Sequence, residues 1–143
     1  RNAVEKLEGQ FDRIYVVTPP ALSFYSRSAL IATKSVLVPF DCDTFSRQAL
    51  YNLIEAVEEI QEDHNDGLSL EGVVVNQFQP QAKLPAQLIE EMRAEGLPII
   101  EAYLPASVKI KESREKHKPL IWSAPSHKLT QSFIDLFDAI EGN

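Results

Sequence analysis

Two apolar rhythms alternate along this chain, and their alternation limits the fold more than any single motif does. Short runs rich in β-branched and aromatic residues occur at Arg13–Val17 (RIYVV), Ser35–Phe40 (SVLVPF), Leu70–Gln77 (LEGVVVNQ) and Pro98–Leu104 (PIIEAYL). They read as strands because such side chains fit a pleated surface, and near-continuous apolarity marks burial on both faces. Between them the spacing becomes helical. Leu50, Leu53, Ile54, Val57 and Ile60 make one stripe, with Asp43 or Thr44 placed to cap its start. Leu84, Leu88, Ile89 and Met92 make a second, with Pro85 suited to a first turn and Gly96 to a stop. Leu129, Phe133, Leu136, Phe137 and Ile140 make a third. This alternation predicts an α/β fold, a mostly parallel sheet flanked by helices and joined by right-handed crossovers.

No repeat, low-complexity tract or linker divides the 143 residues, a length that suits one core, so residues 1–143 are expected to form a single domain. Asn2, Val4 and Leu7 read as the tail of a helix that feeds the first strand. The chain is therefore expected to enter a β/α unit partway through, as if truncated at its N-terminus. The formal net charge of -7 argues against a surface that coats nucleic acid or anionic membrane as a whole. One cysteine, Cys42, excludes an internal disulfide, fits a reducing compartment, and reads as a small buried residue at a strand end. No apolar run has the length of a membrane span and the first ten residues are not signal-like, which gives a cytoplasmic reading. His64, His117 and His127 are scattered, with no metal-ligand spacing, and Ser23, Ser26 and Ser28 lack the elbow glycine of a hydrolase. Trp122 fits core or surface equally.

In a sheet of this kind ligands bind at the carboxyl ends of the strands. Those ends are Val17-Thr18-Pro19-Pro20, Pro39-Phe40-Asp41-Cys42-Asp43, Asn76-Gln77-Phe78 and Leu104-Pro105-Ala106-Ser107. Two readings stay open at each. Two prolines fix φ and remove donors, so Thr18-Pro19-Pro20 makes a rigid turn whether or not it serves a ligand. Asn76 suits a turn, and its amide also matches a purine's donor and acceptor edge. Asp41 and Asp43 suit a helix start. The segment Lys109–Lys128 carries six basic residues, Lys109, Lys111, Arg114, Lys116, Lys118 and Lys128, against two acids, Glu112 and Glu115. It reads either as a solvated helix face, with Glu112 and Lys116 at a favourable spacing, or as a patch that neutralises DNA phosphates.

The texts VTPPAL, RSALIATKSVLVPF, PFDCDTFSRQAL, EGVVVNQFQPQAKLPAQLIEEM and YLPASVKIKESREKHKPLI stand in order along the chain. They resemble the ParA family of DNA-partitioning ATPases, within the deviant P-loop group that includes MinD. The matching family features are a strand ending in Asp-Thr-Pro-Pro, a strand ending in proline before an acidic helix start, a Gly-hydrophobic-Asn strand, and an Ile-Pro loop before a basic helix. The resemblance runs from about Phe11 to the last helix. It implies ATP and Mg²⁺ as cofactors, a homodimer formed around ATP, nonspecific DNA bound by the basic C-terminal segment, and a centromere-binding ParB-like partner. It implies a bacterial, nucleoid-associated protein. By the same resemblance, Asn76 with Pro105, Ala106 and Val108 would hold the base, Asp43 would contact ribose or a second protomer, and Val17 to Pro20 would form the switch turn.

Two departures qualify what the resemblance implies. The 143 residues include no G-x-x-x-x-G-K-[ST]-like run, hence no ordinary cradle for β- and γ-phosphates. Val17 stands where the family has the aspartate that helps hold magnesium and its waters. The chain thus resembles the C-terminal part of a ParA-type protein and is expected to be hydrolytically inactive alone, with no catalytic residue and no metal ligand assigned. A sheet lacking its first strand is expected to self-associate through exposed edges. A degenerate, non-enzymatic module of the same fold is a second reading. A third is an ATP-binding domain like that of the cobyrinic acid diamide synthases, which the TPP turn and basic segment fit less well.

Overall fold

The computed structural model describes residues 2–7 and 9–142, so the outer bounds of the expected single domain, Arg1 and Asn143, lie outside the described residues. Helices α1 (Asn2–Glu5) and α2 (Phe24–Ala32) precede strand β1 (Ser35–Asp41) and the long helix α3 (Thr44–Asp63). Strand β2 (Ser69–Asn76), helix α4 (Lys83–Ala94) and the short strand β3 (Ile99–Ile100) follow. Helices α5 (Lys109–Glu115), α6 (Leu120–Ser123) and α7 (Lys128–Glu141) complete the order. The strands form one parallel sheet in the order β1-β2-β3, flanked by helices, as the alternation of periods predicts.

The described residues of Arg1–Leu37 and Gln48–Glu71 make one compact unit, and those of Val38–Arg47 and Gly72–Asn143 make a second. In the first, Leu30, Val57, Ile60 and Leu68 form a buried cluster against which Ile31, Val36 and Leu53 pack. Val57, Ile60 and Leu53 belong to the helical stripe read in α3, and they are joined by apolar side chains of α2 and β1 and by Leu68, just before β2. Asn65 ties the α2 end to this core by donating from Nδ2 to the carbonyls of Leu30 and Thr33, at 2.9 and 2.8 Å.

The expected first strand is absent from the sheet: Arg13–Val17 belongs to none of the three strands. Strand propensity is realised only within a ladder; residues 11–20 form no strand, and Val17 is 95 % exposed.

The second unit holds the remaining strands and the C-terminal helices. Phe40, Val73, Val75 and Met92 are fully buried in it. Strand β2 pairs with β3 through Val73 and Ile99, and through Val74 and Ile100. The ladder then breaks for Glu101–Tyr103 and resumes where Leu104 N donates to Val75 O at 2.9 Å and Phe78 bridges Pro105. The strand expected over Pro98–Leu104 is thus two short pieces around a three-residue loop. Helix α4 buries Pro85, Leu88, Ile89 and Met92 but leaves Leu84 52 % exposed, because Leu84 lies off the stripe made by the other four. It ends where Leu97 N donates to Met92 O and Gly96 N to Arg93 O, with Gly96 at φ 87°, the left-handed turn that glycine adopts at least cost. Helix α7 buries Leu129 and Leu136, while Phe137 is 60 % exposed. Phe133 and Phe137 line an apolar cleft with Ile121, Thr130 and Ile134, so the expected single apolar side of α7 is divided between core and cleft. Trp122 is on the surface, 69 % exposed.

Candidate functional site

The carboxyl ends of β1 and β2 meet in a cluster of carboxylate and carboxamides. Asp41, the last residue of β1, accepts from both neighbours: Asn76 Nδ2 donates to its Oδ1 at 2.7 Å, and Gln77 Nε2 to its Oδ2 at 2.8 Å. Parallel pairing sets this up, because it brings equivalent strand ends to one edge of the sheet. Gln77 follows β2 with φ 51°, a left-handed conformation that costs a non-glycine residue about 1 kcal/mol or more. That turn ends the strand and carries the chain into the Phe78 bridge. Residues held this way gather at functional sites, where surrounding contacts over-determine them.

The returning ladder adjoins the end of β2. Phe78 N donates to Leu104 O at 2.9 Å, and Ala106 N donates to Phe78 O at 3.2 Å. These bonds place Pro105 and Ala106 beside the end of β2. Phe78 meets Tyr103 edge-on, with ring centroids 5.0 Å apart. The Tyr103 hydroxyl accepts from Arg93 Nη2 at 3.0 Å and donates to Glu101 Oε2 at 3.2 Å, while Arg93 also pairs with Glu101 Oε1 at 2.5 Å and with Glu90. Burial, then the charge of Glu101, raises the phenol above its ordinary range. Val108 is exposed just before α5, where Lys109 N donates to Ser107 Oγ at 3.2 Å.

Asp43 caps α3. Its Oδ1 accepts from Ser46 N at 2.8 Å and its Oδ2 from the Ser46 hydroxyl at 2.9 Å. The Ser46 backbone N–H, followed by the Ser46 hydroxyl, holds this carboxyl below the usual range. Cys42 lies between the two aspartates, half-buried, its thiol pushed up to about 11 by burial first and by Asp41 and Asp43 next.

In the first unit, Thr18-Pro19-Pro20 leads into two successive tight turns, with Ala21 N donating to Pro19 O and Ser23 N to Ala21 O, each at 2.8 Å. Ser23 then caps α2 by accepting from Ser26 N, and Ser26 Oγ donates to Ala21 O at 2.5 Å. Val17 and its neighbours offer no carboxylate. Among the described residues no group of three or more His, Cys, Asp or Glu side chains is placed to hold a metal ion.

Of the basic residues, Lys109 is half-buried and pairs with Glu112 Oε2 at 2.7 Å. That bond is the leading cause of the lowered Glu112 carboxyl, with Lys116 contributing through its charge. Lys111, Arg114, Lys116, Lys118 and Lys128 are exposed. Lys111 and Arg114, at i and i+3, share one side of α5.

The residues named for the base therefore fall together: Asn76, Pro105 and Ala106 share one edge of the sheet, with Val108 two residues on. Sequence reasoning missed Gln77 and the role of Asp41. The signal available to it was an acidic residue closing one strand and two adjacent carboxamides closing the next. Asn76, with its neighbouring apolar residues, suits a heterocyclic base, whereas Val17 does not suit a metal ion or its waters.

Comparison with known proteins agrees with the strand-end motifs. A family model described as an AAA domain matches residues 1–70. The chromosome partitioning protein ParA of Myxococcus xanthus is 28% identical over 137 residues, covering 95% of this chain and 48% of its own length. The sporulation initiation inhibitor protein Soj of Bacillus subtilis is 26% identical over 144 residues, covering 100% of this chain and 57% of its own. A ParA of Caulobacter vibrioides is 27% identical over 124 residues, with 85% and 46% covered. The chain thus spans about half the length of the curated relatives it matches. Among solved structures, the cobyrinic acid a,c-diamide synthase of Mycobacterium smegmatis with bound ADP and magnesium superposes with a TM-score of 0.68 at 21% identity, covering 87% of this chain and 53% of that one. At that identity the likeness shows the fold alone. The strand-end motifs and these relatives agree in one likeness: over most of its length the chain is similar to ParA and Soj proteins.

Proposed function

We propose that these 143 residues are the C-terminal part of a ParA-like partition protein. In that reading the intact protein binds ATP with magnesium, dimerises around it, coats nonspecific DNA, and is released when a centromere-binding partner of the ParB kind stimulates hydrolysis. The observation that carries the reading is the similarity to ParA and Soj proteins over 85–100% of the chain. The strand-end cluster supports it. Asn76, Pro105, Ala106 and Val108 would hold the adenine, and bound ATP would supply the phosphoanhydride whose hydrolysis times the cycle.

These residues offer base contacts without a phosphate cradle, so nucleoside recognition should be weak here, in the millimolar range at best. Steady phosphate release is not expected of them. Titration calorimetry with ATP and magnesium, followed by a phosphate-release assay, tests this directly; micromolar binding with turnover would refute it. The exposed basic residues Lys111, Arg114, Lys116, Lys118 and Lys128, with Lys109, support a DNA-facing surface. Replacing Lys109, Lys111 and Arg114 by alanine should weaken binding to any duplex and lower the slope of log K against log salt by up to about 3. Equal binding by both forms across a salt series counts against the surface.

One observation favours a second reading. Val17 is 95 % exposed where the family places a metal-holding carboxylate, which suits a non-enzymatic module of the same fold, retained for protein or DNA contact. Restoring the carboxylate by Val17→Asp in a chain that also carries a phosphate loop separates the two: recovered ATPase activity supports the partition reading, and continued inactivity supports the module.

A further inference from the structure

The Asp41 clamp does more than close two strands. A carboxylate only accepts hydrogen bonds, so the group that Asn76 turns toward Asp41 must be its NH2, and the carboxamide oxygen is turned away. A flipped amide would set its oxygen against a carboxylate oxygen at 2.7 Å, losing a charge-assisted bond and adding repulsion. The second oxygen of Asp41 is occupied by Gln77 Nε2 at 2.8 Å, so the carboxylate is itself held by two donors from consecutive residues. Gln77 reaches it from a left-handed backbone at φ 51°. The conformation that costs the chain energy is the one that brings the second amide to Asp41.

A fixed carboxamide has a fixed order of acceptor and donor along its free edge. The Watson–Crick edge of a 6-aminopurine offers a donor at N6 beside an acceptor at N1. A 6-oxopurine offers the reverse, an acceptor at O6 beside a donor at N1–H. With the ring walled by Pro105 and Ala106, turning the base over to compensate is opposed by the same ladder bonds that place the wall, Phe78 N to Leu104 O and Ala106 N to Phe78 O.

We propose that Asp41, through its paired bonds to Asn76 and Gln77, is a positioning residue that selects 6-aminopurines over 6-oxopurines at the ends of β1 and β2. The inference rests on the nucleotide reading given above. It concerns the chain's own residues, and its readout is the state of two side-chain amides and a ratio of affinities rather than catalysis.

The experiment is a ¹⁵N–¹H correlation spectrum of the 143-residue chain, titrated with adenosine and separately with inosine, which differ at the 6-position and the proton on N1. In the wild type, the side-chain NH2 signals of Asn76 and Gln77 should be dispersed from the usual carboxamide region. Adenosine should bind about tenfold more tightly than inosine, a ratio in the range expected of one well-placed amide pair. In Asp41→Asn, whose own amide lets Asn76 turn either way, both signals should move toward ordinary positions and the preference should shrink to about twofold. Asp41→Ala serves as a second variant, and the backbone signals in the same spectra report whether each is folded. If adenosine binds and either folded variant keeps the tenfold preference, the positioning role is wrong and the nucleotide reading stands. If neither nucleoside perturbs the wild-type chain, the nucleotide reading itself falls, and the selectivity with it.

Discussion

Gly72 lies beneath Ile100 so closely that a β-carbon on it would stand 2.6 Å from both Cγ1 and Cδ1 of that side chain. The backbone oxygen of Pro98 would be 3.4 Å away, closing the other exit. Strand β2 therefore needs glycine here for room. Gly72→Ala should destabilise the chain by about 1–3 kcal/mol, as overpacking does. Ile100→Ala opens the space, so the double variant should lose less than the two single losses combined, and denaturant unfolding of all four forms measures that coupling. Strict additivity would show that the contact does not constrain the strand.

The α3 cap gives a pH dependence with a definite sign. The Asp43 carboxyl titrates below its ordinary range because the folded state bonds its ionised form through Ser46. Its contribution is thus fully present above the unfolded carboxylate range and is lost as pH falls through the lower, folded value. Glu91, held down by Gln87 and then Arg47, and Glu112, held down by Lys109, act in the same sense. Asp43→Ala should lower Tm at pH 7 and change it much less at pH 2, in a pair of thermal melts. An equal loss at both values would assign the effect to packing.

Cys42 should be a sluggish nucleophile. With its thiol pushed up to about 11, thiolate at pH 8 is on the order of a hundredfold scarcer than for an ordinary exposed cysteine. The greater intrinsic nucleophilicity of a more basic thiolate offsets part of this, leaving alkylation by iodoacetamide about tenfold or more slower. Because Asp41 and Asp43 contribute to the shift, Asp43→Asn should speed the reaction modestly, and mass spectrometry of timed samples reads both rates.

Helix α5 ends on a strained residue. His117 N donates to Arg114 O and Lys118 N to Ser113 O, the pattern of a glycine-type helix end, yet the residue at φ 47° is histidine. His117→Gly should stabilise the chain by about 1 kcal/mol, raising Tm by a few degrees. A lowered Tm would mean that the histidine side chain makes a compensating contact.

Much of the sheet was legible because β1 and β2 are runs whose apolar residues serve both faces, a pattern that little else in a soluble chain produces. Phe40, Val73 and Val75 are buried as those runs imply. Arg13–Val17 has the same composition and forms no strand, since a ladder depends on what lies alongside and no local pattern encodes that. Tyr103 illustrates a second limit. The PIIEAYL run reads as continuous, but Glu101 and Tyr103 both bond Arg93 on α4, and those distant contacts accompany the break in the ladder. At the strand ends, Asn76 and Asp43 were visible as residue types suited to a ligand or a turn. The pairing of Asp41 with two carboxamides was not, because it depends on register between strands that are 35 residues apart.

The loop at Glu101–Tyr103 has one more consequence, for how sequences of this kind can change. Past the loop, the register of Leu104–Ala106 is set again by its own bonds to Val75 and Phe78, independently of the pairing at Ile99 and Ile100. Residues gained or lost between Ile100 and Leu104 would be absorbed as slack instead of sliding Leu104–Ala106 along β2. The break in the strand acts as an expansion joint, letting chain length drift on one side while the geometry on the other stays put.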